Sequence, residues 1–371
     1  MSIMSTFIAG LDLARAFYHE AVQPILAKHH PRLSHSAALL GSGSEVLGFD
    51  DAVSRDHNWG PRLQLFLSAP DHDCLSATIS QTLRGHLPYQ FRGFATNWGA
   101  PKHENDDQGT QLLASITSGE VNHRVDIQTI DDFMRAHFGM GQYHELRSAD
   151  WLSIPQQKLL SFTAGEVFHD ALGLEIIRQR FTFYPRDVWI YLLACGWQRI
   201  GQDEHLAPRA GSVGDELGSR LIAGRLVRSI VLLCFLMERT YAPYPKWLGS
   251  AFQQLDCARE LAPILESVQL AGGYRERERH LCAAWKVLNR LHNKLQLTKR
   301  IAPAVQEFHG RGFLVSDAWR YTEALVDRIS CADLQQLAAR SLIGGIDQFS
   351  DNTDLREAVH LRATIADLYA G

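Results

Sequence analysis

The sequence predicts an α+β protein in which an N-terminal α/β domain, residues 1–150, precedes an all-helical domain, residues 151–371. Up to about residue 150, apolar runs of strand length alternate with helical patterns and are separated by turns rich in glycine and proline. From Trp151 onward, apolar residues recur at helical spacing and no convincing strand interrupts them. A length of 371 residues also favours two domains, each with its own core.

Helical spacing predicts a first helix at 5–28, kinked near Pro24 and ended by Pro31. Apolar runs bounded by turn residues predict the strands of this domain, and proline or aspartate marks the start of its later helices. The remaining predicted elements are a strand Ser36–Leu40, a strand Leu63–Leu67, a helix from Pro70 to about Leu83, an extended stretch Tyr89–Trp98, a surface loop at 99–110, a strand Val121–Ile130 and a helix from Asp131.

The second domain is predicted to contain only helices, each with an apolar face of 3.6-residue period. The charged run Arg275–Arg279 reads as a solvated helix face with alternating charge. The predicted helices lie at 156–171, 186–206, 214–241, 246–269, 274–296, 316–329, 331–343 and 353–369.

Composition limits the classes of protein to consider. Hydrophobic residues make up 46% and charged residues 21%, as in soluble globular proteins, and the net charge of -4 argues against a global role in binding polyanions. No segment approaches the roughly 18 apolar residues of a membrane span, and no secretory signal is recognisable. The six cysteines show no Cys-x-x-Cys spacing. We therefore expect a cytoplasmic protein without a membrane partner.

The stretch Leu39–Gly48 runs from an apolar strand into a glycine-serine turn, and it is the first candidate for a functional site. Glycine allows backbone N–H groups to approach phosphate oxygens, so Gly43 and Ser44 are predicted to bind phosphate. Asp56 and Asn58, two residues apart on the next strand, would project to one face. Magnesium prefers oxygen ligands and keeps nucleotide phosphates in its shell. The pattern therefore predicts a nucleoside triphosphate with its metal, whereas a glycine-serine run alone is more often a plain turn.

Gly43-Ser44-Glu45-Val46-Leu47-Gly48 resembles the Gly-Ser-x-x-x-Gly pattern of the nucleotidyltransferase superfamily, which includes polymerase beta and the aminoglycoside adenylyltransferases. Asp56-His57-Asn58 falls where that superfamily has paired carboxylates, although the second position is an amide here. The resemblance implies a mixed sheet, Mg²⁺, and ATP or another nucleoside triphosphate as substrate. It further implies transfer of the nucleoside monophosphate to a hydroxyl of a small molecule, a nucleic acid or a protein.

A second resemblance covers most of the chain. The segments Ser54–Arg62, Gly214–Gly218 and Tyr241–Gly249 resemble the family known as domain of unknown function 4037. That family brings no established substrate.

Asp126 is the candidate for a further carboxylate. An acidic residue inside an apolar strand is costly unless a charge faces it, and the nucleotidyltransferase superfamily often places a third carboxylate on a later neighbouring strand. Asp126 would then bind metal with Asp56 and Asn58, and it would share the catalytic role with Asp56. The open alternative is an ion pair between Asp126 and Arg124 at the sheet edge. Glu166 and Glu216 remain alternative bases.

Basic residues supply candidates for triphosphate binding. Arg55 flanks Asp56, and Arg239 and Lys246 lie at a helix end that Pro243 and Pro245 interrupt. For Arg55 the alternative is a structural ion pair. For Arg239 and Lys246 it is an aromatic-proline turn that holds two helices together.

The leading hypothesis is therefore a magnesium-dependent nucleotidyltransferase. The amide at Asn58 favours a different class, a nucleotide-binding or regulatory module of the same fold with weakened catalysis, because an amide brings no charge to a metal site. A third reading is a structural or partner-binding helical protein that binds no nucleotide.

Overall fold

The computed structural model describes residues 7–54, 58–100, 111–141 and 143–370. The predicted α+β class is confirmed: one mixed sheet of four strands is accompanied by a largely helical remainder. Contacts divide the chain into two compact units. The first unit comprises Met1–Tyr143 and Lys158–Thr182, and the second comprises His144–Gln157 and Phe183–Gly371. The predicted border at residue 150 therefore differs from the observed division, because a short segment that spans it, 144–157, belongs to the second unit and a later segment, 158–182, belongs to the first.

The first half of the chain contains the sheet. Its elements are α1 (Gly10–Phe17), a π-helical turn (Tyr18–Val22), α2 (Gln23–His29), β1 (His35–Leu39), β2 (Arg62–Leu67), α3 (Ala69–His86), β3 (Gln90–Phe91), β4 (Phe94–Ala95), β5 (Arg124–Thr129), α4 (Ile130–Phe138), α5 (Ser148–Ser153), α6 (Gln156–Thr163), β6 (Glu166–Asp170) and α7 (Leu174–Arg180). The single helix predicted at 5–28 is divided by the π-helical turn, which ends two residues before Pro24, a residue that lacks the N–H of a regular helical hydrogen bond.

The four-stranded sheet has the order β5-β2-β1-β6. Strand β1 is antiparallel to both β2 and β6, whereas β2 and β5 are parallel. Strand β2 is buried along its whole length. Leu63, Leu65 and Leu67 face a core that α1 and α3 complete, and Phe66 on the opposite face meets Phe133 of α4 with ring centroids 5.7 Å apart.

The prediction of one helix over 156–171 is wrong in its second half. Helix α6 ends at Thr163, and the chain then forms β6 at the edge of the sheet. Gly165 makes this turn possible because a Cβ atom there would lie 2.1 Å from the carbonyl oxygen of Leu39. The five residues of β6, Glu-Val-Phe-His-Asp, do not alternate between apolar and polar, so no strand pattern separates them from the helical pattern that precedes them.

The second half of the chain is mainly helical. Its elements are α8 (Arg186–Asp203), α9 (Leu206–Ser212), α10 (Glu216–Met237), α11 (Pro245–Phe252), α12 (Ala258–Leu270), α13 (Tyr274–Lys294), β7 (Gln306–Glu307), β8 (Leu314–Val315), α14 (Trp319–Val326), α15 (Ala332–Arg340), α16 (Ile346–Phe349), α17 (Thr353–Glu357), a 3-10 turn (Val359–Leu361) and α18 (Arg362–Asp367). The helices predicted at 246–269 and 353–369 are thus each divided, and the short hairpin of β7 and β8 was not predicted.

The charged run Arg275–Arg279 is not a wholly solvated face. Arg277 and Glu278 are buried. Arg277 donates to the Ser219 hydroxyl at 2.7 Å, and Glu278 accepts from the backbone N–H of Leu314 at 3.0 Å. The alternating charges in the sequence do not indicate that Arg277 and Glu278 are buried, because their partners lie on α10 and β8, far away in sequence.

None of the helices in the described ranges has both the length and the apolar character that crossing a membrane requires.

Candidate functional site

The glycine-serine turn ends in a specific backbone motif. The N–H of Phe49 donates to the carbonyl of Ser44 at 2.9 Å, and the N–H of Gly48 donates to that of Glu45 at 3.2 Å. Gly48 has a φ of 72°. These two bonds form a Schellman motif, which requires a left-handed residue where Gly48 stands. The last glycine of the Gly-Ser-x-x-x-Gly pattern therefore has a structural use.

An ion pair holds the turn against the sheet. Arg62, the first residue of β2, donates from Nε to Glu45 Oε1 at 3.0 Å and from Nη2 to the Ser42 carbonyl at 2.7 Å. Both side chains of the pair are almost inaccessible to solvent. A Cβ atom at Gly43 would lie 2.5 Å from Glu45 Oε2 and 2.7 Å from Arg62 Nη2. Gly43 thus permits the close approach of the turn to the ion pair.

Asn58 does not lie on a strand, contrary to the sequence prediction. It has a φ of 52° and precedes β2, which begins at Arg62. Its Oδ1 accepts a hydrogen bond from Arg124 Nη1 at 2.6 Å and another from the backbone N–H of Gln111 at 3.0 Å. The amide oxygen expected to bind a metal therefore contacts a guanidinium.

Arg124 is the cation at the centre of this corner. It begins β5 opposite Arg62, and its guanidinium carbon lies 5.1 Å from the centre of the Trp98 ring. Among the residues that the structure describes, its direct partners are the Asn58 amide and this ring, and neither carries a charge. Burial lowers the pKa of Arg124 and the neighbouring Arg62 lowers it further, whereas Asp126 and Glu45 act in the opposite direction. A partly buried guanidinium without a directly bonded carboxylate favours an anion nearby.

Asp126 lies on β5 beside β2, in register with Gln64 and two residues after Arg124. A strand adjacent to β2 is where the superfamily resemblance expected a third carboxylate. The side chain is exposed, so the desolvation cost inferred from the apolar strand does not arise. Within the described ranges its carboxylate forms no hydrogen bond or close ion pair, and it affects Arg124 only as a nearby charge. The predicted direct pair between Asp126 and Arg124 is therefore absent.

Two predicted site residues, Arg55 and Asp56, lie outside the described residues, as does His57. The acidic residues just before them have structural partners. Asp50 Oδ2 accepts from the backbone N–H of Gly10 at 2.7 Å and from the indole of Trp59 at 2.9 Å. Asp51 caps a turn by accepting from the N–H of Val53 at 2.8 Å.

The described oxygen donors do not fit a magnesium site. Among these residues no group of three or more His, Cys, Asp or Glu side chains is placed to hold a metal ion. Asp126 offers a carboxylate, but a cation bound to Asn58 Oδ1 would stand close to the Arg124 guanidinium and be repelled by it.

Arg239 and Lys246, the basic residues predicted in the helical domain, are exposed and contact aromatic rings. The guanidinium carbon of Arg239 lies 5.3 Å from the Phe183 ring and 4.9 Å from the Trp189 ring, and Lys246 Nζ lies 4.9 Å from the Trp247 ring. Such contacts between a cation and an aromatic face stabilise the fold modestly.

The connection between α10 and α11 passes through buried Tyr241 and Ala242. The N–H of Ala242 donates to Gln156 Oε1 at 3.0 Å. These contacts agree with the alternative reading of an aromatic-proline turn that joins two helices.

The two alternative bases also have partners. Glu166 Oε1 accepts from Arg15 Nε at 2.5 Å. Glu216 accepts from the N–H of Tyr274 at 2.9 Å, at the start of α13, and from Arg277 Nη1 at 3.2 Å. Both carboxylates therefore serve the packing of their own unit.

Comparison with known proteins adds one finding, and it concerns the helical part of the chain. Residues 151–248 match the family model described as Domain of unknown function (DUF4037). The resemblance inferred from the sequence is confirmed over this DUF4037 segment, which contains Gly214–Gly218 and most of Tyr241–Gly249. No curated protein and no solved structure matches the chain.

Sequence reasoning considered Arg124 only as a partner of Asp126. A signal was present, because an arginine two residues before Asp126 must share its face of the strand. Its contact with Asn58 spans 66 positions, and nothing in the local pattern indicates it. Outside the DUF4037 segment, the structure therefore adds Arg124 and Glu45 to the candidate corner.

Proposed function

We propose that the protein binds the triphosphate of a nucleoside triphosphate, such as ATP, at the corner made by the glycine-serine turn and the first residues of β2 and β5, and that it transfers the nucleoside monophosphate to a hydroxyl acceptor. The observation that carries this proposal is Arg124, a partly buried cation whose direct partners among the described residues are neutral. Arg62 is paired with Glu45, so Arg124 supplies the guanidinium without a directly bonded carboxylate in this part of the chain, and it is the group we propose for phosphate oxygens.

The chain's own residues would bind the phosphates and accept a proton. Gly43 and Ser44 would offer backbone N–H groups to phosphate oxygens, with Arg124 and Arg55 as cations. Asp126, exposed on the strand beside β2, would accept the proton of the acceptor hydroxyl. The acceptor oxygen would form a bond to the alpha-phosphorus while the bond to the beta-phosphate oxygen breaks and pyrophosphate leaves. Magnesium, with Asp56 and Asp126 as ligands, belongs to the proposal through the superfamily resemblance alone. Arg239 and Lys246 stay proposed triphosphate contacts of the second unit.

The second candidate function is nucleotide binding without turnover. The contact of Arg124 with Asn58 favours it, because a guanidinium beside the amide oxygen opposes a metal ion there. The third reading, a helical partner-binding protein, predicts no nucleotide binding.

The main test combines binding with turnover. We expect calorimetric titration with a non-hydrolysable ATP analogue to show binding, and a pyrophosphate-release assay with a panel of hydroxyl acceptors to show turnover. Asp56→Ala and Asp126→Asn should abolish release while preserving the fold. Asp73→Asn, which alters an exposed carboxylate on α3, is the matched control and should release pyrophosphate normally. Release that persists in Asp126→Asn would contradict the catalytic role of that residue.

Asn58→Asp tests the role of Arg124 in both candidates. The new carboxylate would neutralise Arg124 whether the protein only binds nucleotide or also turns it over, so affinity for the analogue should fall by about tenfold, which corresponds to about 1.4 kcal/mol. Pyrophosphate release by the wild type separates the two candidates.

We propose a cytoplasmic location. All six cysteines are free thiols, and reduced thiols are typical of that compartment.

A further inference from the structure

A second polar site lies within the second unit, where α10, the turn before α11, and α17 meet. It is a cavity of about 20 Å³. Its wall is apolar on the side of the turn and carries charged or amide groups elsewhere. The lining residues are Gln156, Arg228, Leu232, Ala242, Pro243, Pro245, Leu248, Asp347 and Arg356.

The polar groups of this cavity present hydrogen-bond donors without acceptors. Gln156 is only 4% exposed, and its Oε1 is occupied by the N–H of Ala242. Within the described ranges its Nε2 donates to no protein atom. Arg228 is partly buried and has neither a hydrogen bond nor an ion pair there. The Nε of buried Arg356 likewise has no acceptor.

The one carboxylate in the cavity is already engaged. Asp347 forms an ion pair with Arg356 at 2.6 Å and accepts from the backbone N–H of Gln156 at 2.7 Å. Asp347 also interacts electrostatically with Arg228. One carboxylate therefore faces two guanidinium groups, and one positive charge of the cavity is left in excess. Buried amide and guanidinium groups are costly unless they find acceptors.

We infer that this cavity binds one monatomic monovalent anion, a halide. The volume is that of about one or two water-sized atoms, which excludes a triphosphate. The anion would accept hydrogen bonds from Gln156 Nε2 and Arg228 and would face Arg356 Nε. Most of the lining belongs to the DUF4037 segment, and the site is separate from the corner of the first unit in both residues and proposed ligand.

Chloride is the probe for the test. The ³⁵Cl resonance of chloride broadens when the ion exchanges with a protein site, so excess line width at fixed ionic strength measures binding by the full chain. We expect excess line width with the wild type. Arg228→Gln should lower the affinity for chloride by at least tenfold and thereby remove the excess line width. Gln156→Glu keeps an acceptor for the N–H of Ala242 but replaces the Nε2 donor with a carboxylate oxygen. This variant should also abolish the excess line width.

The control is Arg259→Gln, which removes an exposed arginine of α12 and should leave the line width unchanged. Acetate has four non-hydrogen atoms, too many for the cavity, so it should not displace chloride, and displacement by acetate would overturn the halide assignment. Arg228 forms no hydrogen bond within the described ranges, so its variant should fold, which circular dichroism verifies. Equal broadening by wild type and Arg228→Gln, or no excess broadening at all, would overturn the inference.

Discussion

At the scale of single residues, the pair of Arg62 and Glu45 defines the corner. The two charges are buried together, and each satisfies the other. Removing one partner of a buried pair leaves an uncompensated charge, which typically costs about 3–5 kcal/mol. The position of the glycine-serine turn therefore depends on two side chains that lie 17 residues apart.

We predict that Glu45→Gln lowers the free energy of unfolding by about 3 kcal/mol or more, as measured by urea denaturation. Glu260→Gln is the matched control, because Glu260 pairs with Arg290 on the surface, with both side chains more than half exposed. The control should lose less than about 1 kcal/mol. Equal losses in the two variants would show that the buried pair does not secure the turn.

Some features of single residues could be predicted from the sequence, and others could not. The glycine-serine pattern and Asp126 could be identified from residue type and spacing. The conformation of Asn58 and its contact with Arg124 could not, because both depend on a chain segment that returns from residue 111. A left-handed asparagine has no local sequence mark that separates it from an asparagine on a strand.

At the scale of elements, the turn Ser44–Gly48 joins β1 to the rest of the corner through its Schellman motif. Gly48 requires a positive φ, and nothing lies within 4 Å of the position that a Cβ would occupy. The cost of a side chain there is therefore purely conformational.

We predict that Gly48→Ala destabilises the protein by about 1 kcal/mol, seen as a lower midpoint of thermal unfolding. Gly249→Ala is the opposite control: this glycine lies inside α11, has open space around it and has no positive φ. That variant should stabilise the protein by about 0.5–1 kcal/mol. Stabilisation by Gly48→Ala would contradict the assigned turn geometry.

Elements with a clear apolar pattern were predicted best. Helices α3, α8, α10 and α13 carry long helical patterns, and strands β1, β2 and β5 are apolar runs near turn residues, so all were expected close to where they occur. Strand β6 has as many residues as β1 but only two apolar ones, and β7 and β8 have two residues each, so all three were missed.

At the scale of the whole molecule, each unit contains a histidine whose pKa desolvation lowers. In the second unit, the indole N–H of Trp197 donates to Nδ1 of His292, whose Nε2 lies 3.0 Å from the Thr298 hydroxyl. Burial lowers the pKa of His292 from its ordinary value of 6.5 to about 4. In the first unit, burial, with Lys158 nearby, lowers the pKa of His137 to about 4 as well.

We predict that acid destabilises the protein between pH 6.5 and pH 4. The folded-state pKa values lie below the unfolded ones, so the stability is full above pH 6.5 and is lost as protons bind preferentially to the unfolded chain. His292→Gln keeps an acceptor for Trp197 and should flatten the dependence of the melting temperature on pH. The exposed His360→Gln should retain the wild-type slope, and an unchanged slope in His292→Gln would refute this assignment.

The most direct measurement is the affinity of a non-hydrolysable ATP analogue for the wild type and for Arg124→Gln, determined by calorimetric titration at one salt concentration. Arg135→Gln, which changes an exposed arginine of α4, controls for a general loss of positive charge. If Arg124 is the free cation of a triphosphate site, the analogue should bind the wild type and Arg135→Gln equally and bind Arg124→Gln at least about tenfold more weakly. Equal affinity for all three proteins, or no binding by the wild type, would contradict the account.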